Sequence, residues 1–250
     1  MLAPGSSLGG ARPKASVRES DGRLAIAKFP HRDDEWNVVL WEAVVLSLAE
    51  KSGIEIPRFR IENIAGMDVI ILKRFDRNGA IRFPFLSAMS MIGARDNEVR
   101  SYLEIADALR QHGARPVKDL RQLWRRVVFT VLVSNVDDHM RNHGFLYGGN
   151  EGWALSPAYD LNPMPVDVKP RMLSNAIDEA DQTASLITAL SVAEYFDIGE
   201  NEAQEIAGEV GRNVKRWREE ATGFGIGAAE IDRMESAFEH PDLEAALALI

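Results

Sequence analysis

Residues 134–148 read SNVDDHMRNHGFLYG, and residues 155–163 read LSPAYDLNP. The first stretch follows a long helical pattern and precedes a strand-like run, so it reads as a loop fixed at both ends. Within it Asp137 and Asn142 stand five positions apart. In a D-x-x-x-x-N loop the carboxylate accepts a hydroxyl proton, and the Asn carbonyl ligates magnesium on nucleotide phosphates. Asp160 follows a hairpin, where a second hard oxygen ligand for magnesium is needed. Such a site also needs a phosphate cradle and a cation elsewhere in the chain.

Both have candidates near the start. In SSLGGARPKASV (6–17), Gly9 and Gly10 let backbone N–H groups approach an anion, and Lys14 supplies charge. A plain turn explains the glycine pair equally well. RLAIAKF (23–29) reads as a strand after the turn SDGR. Lys28 in that apolar strand is costly to bury without an anionic partner. Either it points outward from an edge strand or it pairs with Glu42, mid-helix in EWNVVLWEAVVLSLAEKS (35–52). A Lys–Glu pair holding nucleotide phosphates recurs in kinase sites. A wet helix face accounts for Glu42 as well. RFRIENI (58–64) and MDVIILKRF (67–75), joined by Ala65–Gly66, predict a hairpin.

Helical periodicity dominates from about residue 87. One helix runs from an Asp96/Asn97 cap to Gly113, and a second starts at Pro116 and reaches Val136. FLYGGNEGWALSP (145–157) predicts a hairpin, and further helices fall at 191–196, 201–221, 228–238 and 241–249. The expected fold class is α+β and bilobal: a small β-containing lobe, 1–76, a hinge near 75–80, and a larger helical lobe, 77–250, with one short hairpin.

Composition narrows the function classes. The 250 residues carry 46% hydrophobic side chains and a net charge of −9, from 29 basic and 38 acidic residues. Neutralising a nucleic-acid backbone needs concentrated Lys and Arg, which this balance does not supply. A basic stretch at 110–126 contrasts with acidic 176–209 and reads as a solvated helix face. No cysteine is present, which excludes disulfides and thiolate metal sites. No apolar run approaches the roughly 18 residues of a membrane span, and no secretory leader is legible, so a cytoplasmic protein is expected. His139 and His143 lack the third nearby ligand that zinc requires. A metal-dependent phosphohydrolase explains Asp137 and Asp160 but neither Lys28 nor the Gly-rich loop.

Gly loop, strand lysine, helix glutamate, hinge, D-x-x-x-x-N and Asp follow one another in an order that resembles the HipA-like kinases. These are the toxin components of bacterial HipA/HipB toxin–antitoxin systems. The matching pieces are SLGGARPK (7–14), AKFP (27–30), LKRFDR (72–77), NVDDHMRNHGF (135–145) and LSPAYDLNP. The resemblance implies a divergent protein-kinase-like fold and ATP- and magnesium-dependent phosphorylation of Ser or Thr on a protein. It implies Asp137 as catalytic base, Asn142 and Asp160 as magnesium ligands, and Lys28 with Glu42 on the ATP phosphates. Gly9, Gly10, Ala11, Arg12 and Lys14 would form the phosphate loop. The backbone from Lys73 to Phe75 would face adenine, with Asp76 near the ribose and His139 in the nucleotide site. Ser7 is the implied autophosphorylation position, whose modification ejects the loop and silences the enzyme.

Family substrates are aminoacyl-tRNA synthetases. The implied partner is a HipB-like helix-turn-helix antitoxin, through which alone DNA is reached, with no membrane partner. Family members carry a further N-terminal β subdomain ahead of the Gly loop, which here begins near residue 6. The expectation is a fragment, or a chain whose missing part a separate protein supplies. Pro13 also removes one donor from the phosphate cradle. The alternative reading is a catalytically weak kinase-fold binding module acting in an antitoxin complex.

Overall fold

The computed structural model describes residues 12–96 and 98–249. β1 (Lys14–Arg18) and β2 (Leu24–Lys28) pair antiparallel around a turn closed by Gly22, whose φ of 84° suits glycine. After α1 (Val38–Lys51) come β3 (Phe59–Ile64) and β4 (Met67–Lys73). Their hairpin turns at Ala65 (φ 53°) and Gly66 (φ 83°), the two positive angles that a two-residue loop requires. The four strands form one antiparallel sheet in the order β1-β2-β4-β3.

Alternation along the strands divides the sheet into two faces. Ile70 and Leu72 join α1 in the main core, whereas Ala25, Ala27, Val69 and Ile71 form a small separate cluster. Lys28 lies opposite Ile70 in register, which puts it on the α1 side. α1 is buried almost all round, as a helix between a sheet and other helices must be. It begins at Val38 rather than residue 35 because the Asn37 side chain accepts from the Leu40 N–H at 3.1 Å.

A short hairpin, β5 (Arg77–Asn78) and β6 (Ile81–Arg82), precedes β7 (Phe85–Ser87) and α2 (Ala88–Met91). α3 (Tyr102–His112) starts later than its expected cap at 96–97. Residues 100–102 pair instead with Ala176: its N–H donates to Arg100 O at 2.8 Å, and its carbonyl accepts from Tyr102 N at 3.0 Å. α4 (Pro116–Leu132) opens on proline, as expected, and forms the centre of the helical region. The expected hairpin is β8 (Gly144–Tyr147) and β9 (Trp153–Leu155), which β7 extends into a three-stranded sheet. A Cβ at Gly144 would overlap Phe85 Cε2, so a larger residue there would push the Phe85 ring aside.

The chain ends in α5 (Leu186–Ser191), α6 (Glu200–Val214), α7 (Trp217–Gly223), α8 (Ala228–Arg233), α9 (Glu235–Phe238) and α10 (Pro241–Leu247). Three expected helices differ. The one at 191–196 is the end of α5 followed by a 3-10 turn at Ala193–Phe196. The 228–238 helix divides at Met234, and the 201–221 helix breaks at Lys215–Arg216. That break turns α7 so that Trp217 stacks on Phe238 at 4.6 Å between centroids and lies 6.1 Å from Trp41 of α1. Packing of large aromatic surface overrides helical continuity here.

Candidate functional site

The last residue of β2 and the first half of α1 meet the segment after β9. Lys28 Nζ lies 2.5 Å from Glu42 Oε1 and 2.9 Å from Asp160 Oδ1. The side chains are 14% (Lys28), 5% (Glu42) and 38% (Asp160) exposed, so both open readings resolve inward. Burial works against the Lys28 charge, but the two carboxylates outweigh it and its pKa rises. Burial pushes the Glu42 carboxyl up, with Lys28 opposing. Asp160 feels burial too, yet Lys28 outweighs it and holds the carboxyl below its usual range. One ammonium does not fully offset two carboxylates, and the more exposed Asp160 keeps its charge at lower cost. Asp160 has a φ of 61°, the left-handed region that Asp tolerates and that clusters at functional sites.

Adjacent aspartates in the 134–148 loop have opposite surroundings. Asp138 is buried and accepts from the Tyr102 hydroxyl at 2.7 Å and the Thr130 hydroxyl at 3.3 Å, with His143 Nε2 at 3.1 Å. Burial raises its pKa, but His143 and Tyr102 outweigh that, so the net shift is downward. Asp137 is 64% exposed, with Lys169 Nζ 3.9 Å away. The Asn142 side-chain amide donates to Asp137 O at 3.2 Å, closing the D-x-x-x-x-N turn on itself. Asn135 Oδ1 accepts from Asn162 N at 3.2 Å and ties this loop to the Asp160 segment. His139 Nδ1, Asn135 Nδ2 and Asn162 Oδ1 are buried without a hydrogen-bond partner, a concentration of unsatisfied polar atoms in one region.

One cleft is lined by Arg12, Lys14, Lys28, Glu42, Asp160 and Asn162, with Val38 and Val39 as its apolar wall. Lys14 faces Lys28 across β1 and β2. Arg12 Nη1 pairs with Asp34 at 2.5 Å. Asn142 lines a neighbouring internal cavity instead, and Asp137, His139, Lys73, Phe75 and Asp76 line neither space. Just beyond β4, Phe75 packs on Tyr159 (5.7 Å) and Phe85 (6.1 Å), joining the expected hinge to the Asp160 segment. Asp76 is gripped by Arg74 at 2.8 and 2.6 Å and by Arg77 at 2.7 Å. Burial opposes its charge, but Arg74 outweighs that and lowers its pKa. Lys73 is exposed, its N–H donating to Arg58 O at 2.8 Å. Ser7, Gly9, Gly10 and Ala11 lie outside the described residues.

The sequence reading missed Arg126. It is buried in α4 and donates to Ser156 O at 2.6 Å, supporting the turn that leads to Asp160. Burial lowers its pKa to about 10, and its Nε and Nη1 have no partner. An arginine inside the apolar stripe of a core helix was the available signal.

The oxygens present suit magnesium. Asn142 directs its amide nitrogen to Asp137 O, so its carbonyl is the end left for a ligand, and Asp160 adds a carboxylate. Among the described residues no group of three or more His, Asp or Glu gathers as a cation cage. Magnesium rarely uses such a cage; it is held by one or two protein oxygens, substrate phosphates and water.

A family model described as the HipA-like C-terminal domain matches residues 6–218. A Haemophilus influenzae protein named "Putative kinase" is 26% identical over 144 residues, covering 50% of this chain and 41% of its own length. The Sinorhizobium fredii "Putative kinase Y4mE" is 25% identical over 181 residues, covering 62% of this chain and 41% of its own. The chain thus spans about two fifths of the length of these curated relatives.

Among solved structures, a chain of the Shewanella oneidensis MR-1 toxin–antitoxin complex of HipA, HipB and operator DNA superposes with a TM-score of 0.72. Its identity is 17%, over 98% of this chain and 64% of that one. The Helicobacter pylori proinflammatory kinase CtkA superposes with a TM-score of 0.64 at 16% identity, over 99% of this chain and 94% of that one. These likenesses show the fold: a mixed α/β kinase-like arrangement of a small sheet region and many helices.

Proposed function

This chain belongs to the HipA-like C-terminal domain family, and from that membership we propose that it is a protein serine/threonine kinase. It transfers the γ-phosphoryl group of magnesium-bound ATP to a hydroxyl on a protein. The observation that carries the reading is the meeting of Lys28 with both Glu42 and Asp160 at 2.5 and 2.9 Å. A cation held between a helix glutamate and a candidate metal-ligand aspartate is the arrangement that phosphoryl transfer uses.

In this reading Lys28, oriented by Glu42, holds the ATP phosphates, with Lys14 and Arg12 adding charge at the cleft. Asn142 and Asp160 would hold magnesium, which neutralises phosphate charge when bound. Asp137, turned to solvent, takes the proton of the acceptor hydroxyl. The division at 76/77, with the backbone from Lys73 to Phe75 facing adenine, belongs to the same proposal. The partner we propose is a HipB-like antitoxin, supported by the fold shared with the HipA–HipB–operator DNA complex. A cytoplasmic setting remains part of the proposal; no helix of the described residues is long and apolar enough to cross a membrane.

The test is calorimetric. ATP should bind only with magnesium, and Asp160→Ala should weaken binding by about tenfold or more, the scale of a lost charge-assisted contact. Unchanged affinity in the variant would remove Asp160 from the metal site, and no binding by the parent chain would sink the nucleotide reading.

A further inference from the structure

The segment between Asp160 and α5 is pinned to the loop that carries Asp137. Met164 N donates to Ser134 O at 3.2 Å, and Ser174 N donates to Val136 O at 3.0 Å. Between those two ties, Arg171 makes three bonds from a largely buried guanidinium: Ser134 Oγ at 3.1 Å, Val131 O at 2.9 Å and Asp242 Oδ2 at 2.6 Å. The N–H groups of Val168 and Lys169 both donate to Pro165 O, at 3.0 and 3.2 Å, closing a tight turn. Val166 N is held by Ser236 Oγ at 3.1 Å. These anchors on the Asp137 side fall just before that aspartate, and Asn175 Nδ2 adds one just after it, donating to Asp138 O at 2.6 Å. The two segments therefore form one rigid unit, with Lys169 at its outer edge.

Lys169 Nζ stands 3.9 Å from Asp137 Oδ1, with both side chains more than half exposed. A pair this long and this wet contributes little to stability, so fold energetics give no reason for a cation there. Phosphoryl transfer does. Charge spreads over the oxygens of the moving phosphoryl group, and a positioned cation beside its path stabilises it. Lys28 already faces two carboxylates, which leaves the Asp137 side to another residue.

We propose that Lys169 is a catalytic residue that meets the γ-phosphoryl group as it passes the base; this rests on the kinase reading above. The bond from the γ-phosphorus to the bridging oxygen of ATP breaks, and ADP leaves with that electron pair. A bond from the γ-phosphorus to the acceptor hydroxyl oxygen forms, and the hydroxyl proton moves to Asp137. Lys169 contacts the non-bridging oxygens throughout and exchanges no proton.

The experiment follows γ-labelled ATP with magnesium, counting label on protein plus released phosphate under single turnover, alongside calorimetric ATP affinity. Lys169→Met should slow turnover about 100-fold, with ATP affinity within about twofold and an unchanged melting curve. Lys169→Arg should recover most of the rate, which a merely structural role would not predict. An active parent with an equally fast Lys169→Met variant overturns the proposal and leaves the kinase reading standing. Parallel loss of ATP affinity in both variants also overturns it, making Lys169 a binding residue. A parent chain that binds magnesium-ATP but never transfers label fails the kinase reading itself, and this inference with it.

Discussion

Lys28 and Asp160 lie 132 residues apart in the chain and meet at 2.9 Å. Their contact joins the end of β2 to the segment after β9, with Glu42 of α1 closing the group from the other side. Almost everything the site is expected to do depends on that junction being built before a nucleotide arrives.

Removing the ammonium should therefore cost both binding and stability. Lys28→Met should lower magnesium-ATP affinity by about 10- to 100-fold, the scale of lost charge-assisted hydrogen bonds. It also removes the main opposition to the upward push of burial on the pKa of Glu42, leaving the weaker pull of the Lys14 charge. A carboxyl raised in the folded state binds a proton that the unfolded chain releases, so stability falls as pH rises. The deficit of Lys28→Met in urea melts should shrink between pH 7 and pH 5. A deficit that is the same at both pH values contradicts this account of Glu42.

Asp137→Asn keeps the shape of the loop, because its fold depends on Asp138 and on the Asn142 bond to the backbone at 137. Phosphoryl transfer should fall about 10²- to 10⁴-fold, as for loss of a general base, with magnesium-ATP affinity unchanged. Transfer at the parent rate moves the base elsewhere.

His240 caps the start of α10: its Nδ1 accepts from Leu243 N at 3.4 Å, and Nε2 lies 3.2 Å from Leu132 O. That pattern needs a neutral ring with the proton on Nε2. Burial, helped by the Arg171 charge, lowers its pKa from 6.5 to about 4. The unfolded chain takes up a proton between those values while the folded one does not, so stability is lost as pH falls through that window. From pH 7 to pH 5 the loss attributable to this residue is about 2 kcal/mol. Urea melts of His240→Gln should show a drop smaller by that amount, and an identical pH dependence in the two proteins rules His240 out as the source.

Trp217→Ala should cost about 3–5 kcal/mol in urea unfolding. Its ring is stacked on Phe238 at 4.6 Å and adjoins Trp41, so the cavity opens between α1, α7 and α9. A loss under about 1 kcal/mol would mean that the break after Val214 has some other cause.

Several parts of this molecule were legible residue by residue. Ala65–Gly66 between two strand patterns, Pro116 ahead of an apolar stripe, and the Asp137–Asn142 interval all depend on neighbours a few positions away. The order of the cleft residues was legible too, from Lys14 through Lys28 and Glu42 to Asp160. The late start of α3 was not, because Ala176 competes for the backbone of residues 100–102 from far along the chain. Nor was β7, a three-residue strand whose partner β8 lies far along the chain and whose Phe85 ring rests over the bare Cα of Gly144. Lys169 escaped for a related reason, since a charge in a loop looks ordinary until its surroundings are known, whereas Arg126 stood out against its apolar stripe and was passed over.

By itself, then, the sequence determined the local turns, most helix periods and the ordered set of charged residues, since these depend on backbone preference and short-range spacing. Only the tertiary structure decided which of Asp137 and Asp138 is buried: Tyr102 of α3, Thr130 of α4 and the neighbouring His143 converge on the second and leave the first to solvent. It alone decided that Lys28 turns inward. A charge leaves water only where partners make up for its lost hydration, and those partners stand on a helix and a loop that the strand does not foretell.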